Sequence, residues 1–261
     1  VTAWDLRAFL RALGATLVGI AVVWLVTAAS DEGQLSVGVR AGRTLPLAPL
    51  CSAVGVALAL GATRVRSETR ALEALGRSPS QALVAPVVGA ALPSFVFAAL
   101  IAASSAVDIS AFYPRAPRGD SFVYRDGAFE SATLGVRVAT SDGDARPIDG
   151  TSIAPDEGLP RGARSSASLS TALAGAALTL IAARAVLHMS MLDRATRRRR
   201  RALALVLVAV TSIATLVAFQ AAAAHLLPSA VAAVPSALLL ASALFGFRSR
   251  YRFPHARGAT G

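Results

Sequence analysis

The sequence predicts a mainly α-helical, polytopic membrane protein: six transmembrane helices with a small β-containing insertion between the third and the fourth. Three observations predict it. The 261 residues are 54% hydrophobic with a mean hydropathy of +0.58, too apolar for an ordinary soluble domain and too long for a single anchor. Uncharged intervals recur at the length of a span, since a hydrocarbon core of ~30 Å crossed at ~1.5 Å per residue needs about 20 apolar residues. All 26 basic residues are arginine, and they collect in alternate loops.

The first span, 8–29, is built around the 19 uncharged residues between Arg11 and Asp31 and starts one turn before Arg11. Val26-Thr27-Ala28 resembles a signal-peptide cleavage site, but the apolar stretch is long for a signal h-region and further spans follow, so a signal anchor is expected. The second span, 45–63, occupies the 20 uncharged residues between Arg43 and Arg64 and holds the single cysteine, Cys51, which excludes an intrachain disulfide. The third, 80–106, falls within 30 uncharged residues after Arg77, with Pro86 and Pro93 expected to bend it. The fourth, 168–188, follows Arg164, and Arg184 near its end is expected to snorkel outward. The 46 uncharged residues from Ala202 to Phe247 hold two passes, 202–225 and 229–247, separated at His225-Leu226-Leu227-Pro228-Ser229; Pro235 is expected to bend the last.

The chain thus divides into residues 1–106 with spans one to three, an insertion at 107–167, and residues 168–261 with spans four to six and an Arg-rich tail. In the insertion, Ser121–Arg125 and Ala132–Thr140 alternate around Asp126-Gly127, a hairpin signal that predicts two or three strands. Residues 141–167 read as a loop. Asp142, Asp144 and Asp149 lack EF-hand spacing and read as a solvated turn rather than a calcium site.

The net charge of +11 could belong to a nucleic-acid binder, so its location matters. Residues 1–11, 64–79, 189–201 and 248–261 hold 16 Arg against four acids, while 30–44 and 107–167 hold 9 Arg against eleven acids. The excess places the first group, with both termini, in the cytoplasm. Arg197 to Arg201 therefore reads as a topology signal in contact with anionic headgroups. It is short and has no aromatic interleaving, so no nucleic-acid partner is expected.

The cytoplasmic segment between spans two and three predicts a short amphipathic helix over 66–77. Ser67 is a suitable N-cap, Glu68 falls in the first turn, and Glu68, Leu72 and Leu75 share a face beside Ala71. Gly76 suits the left-handed C′ position, and Ser78-Pro79 can cap and start the next helix.

The string Ser67-Glu68-x-x-Ala71-Leu72-x-x-x-Gly76-x-Ser78, after Leu45-Pro46-Leu47 and an apolar span, resembles the cytoplasmic segment of the LptF/LptG (YjgP/YjgQ) permease family. The motif covers about residues 45–80, and the family layout of three spans, outside β domain and three spans matches the whole chain. The resemblance implies an ABC-type permease subunit that extracts lipopolysaccharide, with this segment as the coupling helix seated on a cytoplasmic ATPase and its glutamate matching Glu68. It also implies a paralogous permease subunit or second copy, membrane lipid as substrate, a periplasmic bridge protein, and a lateral gate at spans one and five. Two features depart from the family. The insertion at 107–167 is shorter than the family's β-jellyroll, and Asp31 and Glu32 stand where the family places basic residues at the outer end of span one, with Arg40 and Arg43 only later.

The chain has no G-x-x-x-x-G-K-[ST] loop and no lysine, so ATP and Mg are expected in the partner and no cofactor or catalytic residue in this chain. A second reading is a structural or assembly subunit that keeps the permease fold without transporting lipid. A redox enzyme is disfavoured because His188, at the cytoplasmic end of span four, and His225, at the outer end of span five, are expected on opposite sides of the membrane. Gln220 reads as a buried polar group needing a partner, and Gly55/Ala59, Ala172/Ala176 and Ser242/Gly246 as small pairs for close helix approach.

Overall fold

A computed structural model describes residues 2–30, 37–113, 123–131, 136–141, 145–147, 159–187 and 194–248. His188, Asp31, Glu32, Asp142, Asp144, Asp149 and the tail beyond 248 lie outside them.

The helices are α1 (Ala3–Ser30), α2 (Val37–Thr44), α3 (Ala48–Gly61), α4 (Thr63–Ala74), α5 (Pro79–Ala103), α6 (Ala163–Leu187), α7 (Arg194–Ala223) and α8 (Val234–Arg248). Five helical stretches are long and apolar enough to cross a membrane: α1, Val37–Gly61, and the apolar parts of α5, α6 and α7. The sixth apolar stretch, Ser229–Phe245, is shorter than the other five. It is a 3-10 turn over Ser229–Ala233 running into α8. Pro235 therefore starts that helix rather than bending it, because a proline in the first turn forfeits no intrahelical bond. Pro86 and Pro93 sit inside α5, which is continuous through both.

α3 and α5 are the centre of the bundle, packed on α1 along one side and on α6 along the other, with α8 beyond α6 and α7 beyond α8. Close approach comes from small residues. At Gly55 of α3 a methyl group would collide with Thr16 of α1, and at Gly175 of α6 one would collide with the Ser94 side chain of α5. Ser52 and Ser94 share a hydrogen bond of 2.9 Å across α3 and α5, so these buried hydroxyls satisfy each other. Gly55 behaves as its small-pair reading predicts. The other two pairs miss by one face: on α6 the tight contact is at Gly175, with Thr171 and Thr179 buried beside it, and on α8 Ser242 is exposed while Ala243 is buried.

Two apolar clusters close the ends of the bundle. One joins Leu45, Ile101, Phe112, Tyr113, Ala163 and Phe219; the other joins Leu60, Val65, Leu83 and Ala183, with Trp4 packed against it. Successive helices thus run in alternating directions, and the start of α1 lies at the end that carries α4. Arg184 turns its guanidinium onto the Ala243 carbonyl of α8 at 2.8 Å, so it pins two helices instead of snorkelling away.

The insertion contains a four-stranded antiparallel sheet, β1 (Val123–Arg125), β2 (Ala128–Ser131), β3 (Val136–Ala139) and β4 (Ala145–Pro147), paired in sequence order. Asp126 at φ 51° and Gly127 at φ 73° make the expected tight hairpin turn, because two consecutive left-handed residues match strand twist. The second strand follows that turn directly instead of starting at 132. β4 and the first turn of α6 occupy part of what reads as a loop over 141–167. Glu130 and Arg137 face each other across β2 and β3, with 3.4 Å between Oε1 and Nε.

Candidate functional site

The candidate site is α4, a two-faced helix at one end of the bundle. It begins at Thr63, earlier than the expected 66, because the chain turns at Ala62, whose ψ of 136° ends α3 and opens α4. Ser67 is consequently mid-helix and not the N-cap; its hydroxyl donates back to the Arg64 carbonyl at 2.8 Å. Glu68 lies beyond the first turn and is held by Arg64 at 3.0 Å, an exposed i, i+4 pair worth about 0.3–0.5 kcal/mol. Arg66 reaches back to the Gly61 carbonyl with Nε, at 3.0 Å, and with Nη2, covering an acceptor that the end of α3 leaves unsatisfied.

The other end follows the sequence. Gly76 has φ 90°, the Gly76 N–H donates to the Glu73 carbonyl at 3.0 Å, and the Arg77 N–H donates to the Leu72 carbonyl at 3.0 Å, the paired bonds of a Schellman stop. Ser78 then caps α5, accepting from the Gln81 N–H at 3.3 Å while the Gln81 side chain accepts from the Ser78 N–H at 3.2 Å.

The face that packs on the bundle runs from Val65, and of the residues expected to share a face only Leu72 turns toward it. Val65 and Thr69 are buried and Leu72 is half-buried, so i, i+4, i+7 from Val65 lies on the bundle. Ser67 and Ala71 face away, Glu68 is partly covered, and Leu75 is 84% exposed. The structure thus brings Ser67, Glu68, Ala71 and Leu75 to the outer side of the helix, Leu72 to its inner side, and Gly76 and Ser78 to the turn that fixes its end.

Three features were missed by residue spacing alone. Arg77 joins Asp5 of α1 in an ion pair and lies over the Trp4 ring, with 5.3 Å from Cζ to its centroid. Arg164 grips the end of α5, donating to the carbonyls of Ser104 at 2.6 Å and Val107 at 3.0 Å. Arg40 of α2 lies over the Trp24 ring of α1 at 5.8 Å, and its Nε is buried without a hydrogen-bond partner among the described residues. These contacts join residues 16 to 73 positions apart in sequence, which no local pattern encodes.

Elsewhere, α7 carries Arg198 and Arg199 on a helical extension of its span, both exposed. Gln220 is exposed on the outer side of α7, not buried within the chain. His225 ends α7 at φ 56°, taking the place a glycine usually fills in the stop formed by the His225 N–H to the Ala222 carbonyl, 3.1 Å, and the Leu226 N–H to the Ala221 carbonyl, 2.9 Å.

No family model matches this chain. No curated protein and no solved structure matches it either.

Proposed function

We propose that this chain is the permease-like membrane subunit of an ATP-driven lipid exporter, in which α4 receives the movement of a cytoplasmic ATPase. The observation that carries the reading is a short helix fixed at both ends, seated on the bundle by Val65 and Thr69, that presents Leu75 at 84% exposure beside Ala71 and Glu68. An apolar side chain so exposed at a capped helix end fits a protein groove, and a carboxylate among arginines supplies orientation. The LptF/LptG resemblance assigns this segment the same role.

Six passes fit the geometry. A 3-10 turn rises about 2 Å per residue and an α-helix about 1.5 Å, so Ser229–Ala233 followed by Val234–Arg248 extends about 32 Å, a full hydrocarbon thickness. With the Arg excess at the α4 end, that end and both termini face the cytoplasm of a bacterial inner membrane. The family's lateral gate falls on α1 and α7, the two long helices least covered by the bundle. Arg40 over Trp24 supplies a cation beside the outer end of α1, which supports an anionic lipid such as lipopolysaccharide as cargo.

A helix bound equally in both states of its partner transmits nothing, so the mechanism requires that ATP binding change how the ATPase holds α4. The test is Glu68→Lys in the complete complex. Loss of ATPase copurification or of ATP-driven lipid release is expected, with the chain still folded because Glu68 makes only an exposed pair; normal copurification and transport would refute the assignment. The strands of three or four residues favour a second reading, an assembly subunit whose small sheet carries no lipid onward. A stable complex without an ATPase would support it.

A further inference from the structure

We propose that Asp5, Arg77 and Trp4 form a latch that makes the α4 segment and the first turns of α1 one moving part, so that a displacement of α4 is delivered directly to α1. The inference deepens the permease reading and rests on it for its purpose, though the latch itself is a property of this chain alone.

The geometry begins with the stop of α4. The Arg77 N–H is held by the Leu72 carbonyl, so the position of Arg77 follows the last turn of α4. Its side chain then crosses to α1, where Nη2 pairs with Asp5 Oδ1 and the guanidinium covers the Trp4 ring at 5.3 Å. The carboxylate is fully engaged: Oδ2 accepts from the Thr2 N–H at 2.8 Å and the Thr2 hydroxyl at 2.9 Å. The Asp5 and Arg77 side chains are 13% and 19% exposed, so separating them would strand two poorly solvated charges, a costly step compared with parting a surface pair. Trp4 adds an apolar hold, because it packs on the cluster that contains Val65 of α4 and Leu83 of α5.

Two attachments of different chemistry therefore join α4 to α1, while the covalent connections of α4 run only to α3 and α5. α1 also packs along α3 and α5 and meets Arg40 of α2 at Trp24, so a displacement delivered to its first turns moves it against those helices, with Val18, Val22, Leu25 and Val26 turned outward. A pull on α4 reaches α1 through residues 4, 5 and 77, which act as positioning residues and touch no substrate.

The test measures the distance between spin labels at Ala74 and Leu10 by pulsed electron resonance, on the full chain in nanodiscs with whatever complex it retains. A single narrow distance is expected for the parent and for Asp5→Glu, which keeps the carboxylate, with loss of that narrow distance in Asp5→Asn and Arg77→Gln. Thr2→Ala, which removes the helix cap and spares the ion pair, should keep it. An Asp5→Asn or Arg77→Gln distribution as narrow as the parent's would overturn the latch, and so would equal broadening by Thr2→Ala, which would mean simple fraying of α1. The two proposals separate cleanly. Broadening in a chain that retains no ATPase leaves the latch standing and refutes the permease reading. An ATP-dependent shift unaffected by Asp5→Asn does the reverse.

Discussion

The centre of the bundle and its α7 flank are built on opposite principles. About 44% of the apolar window is buried within the protein for both the α2–α3 span and α5, against 11% for α7. The central helices touch through glycine and serine, where backbones approach and paired hydroxyls such as Ser52 and Ser94 remove polar groups from the hydrocarbon. α7 instead presents Leu205, Val206, Val210, Ile213 and Val217 outward and is fixed mainly near its last turns, where Ala218, Phe219, Ala222 and Ala223 are buried. A centre packed on both sides with a flank held at one end is the arrangement that the proposed lateral gate would require, since small changes are amplified only where an element can take two positions.

The contrast can be broken first at the clasp. Phe219 meets Tyr113 edge-on at 5.1 Å and Phe112 at 5.8 Å, so Phe219→Ala should cost about 3 kcal/mol and speed amide exchange along α7 while leaving α3 and α5 protected. Equal loss of protection across all helices would show that α7 is as integral as the centre. Gly55→Ala attacks the centre: a Cβ there would lie 2.7 Å from the Thr16 nitrogen and 2.9 Å from its Cα, backbone that cannot rotate away. Overpacking should outweigh the ~1 kcal/mol gain in helix propensity, for a net loss of about 2 kcal/mol in detergent unfolding. A neutral result would mean that α1 yields easily.

The smallest expected effect sharpens the clasp. The Tyr113 hydroxyl donates to the Ala163 carbonyl at 2.8 Å, and burial pushes the phenol up to about 12, so it remains a neutral donor at any working pH. Tyr113→Phe keeps the ring contact with Phe219 and should cost about 1 kcal/mol by the same unfolding measurement. A cost as large as that of Phe219→Ala would place the strength of the clasp in its hydrogen bond.

The five long apolar helices were legible because each is a long uncharged interval, and Gly76 and Ser78-Pro79 were legible because local backbone demands select those residues. The start of α4 was not. Ser67 has the chemistry of an N-cap, but the helix begins where the chain leaves α3 at Ala62, and Arg66, four residues on, satisfies the freed Gly61 carbonyl. Gln220 was misplaced because composition shows that a span is apolar without showing which side meets the bundle. Arg40, Arg77 and Arg164 entered the charge count as orientation signals, whereas in the fold each is a specific contact with a ring or a carbonyl. The arginines behind the +11 charge thus build the architecture residue by residue, which their count alone does not convey.

The most direct test of the central claim is to extract the full chain from its native membrane in mild detergent and identify its stoichiometric companions by mass spectrometry. An ATPase subunit together with a second permease copy or paralogue, and bound lipid, is the predicted result. A stable, abundant complex that contains no ATPase would contradict the account.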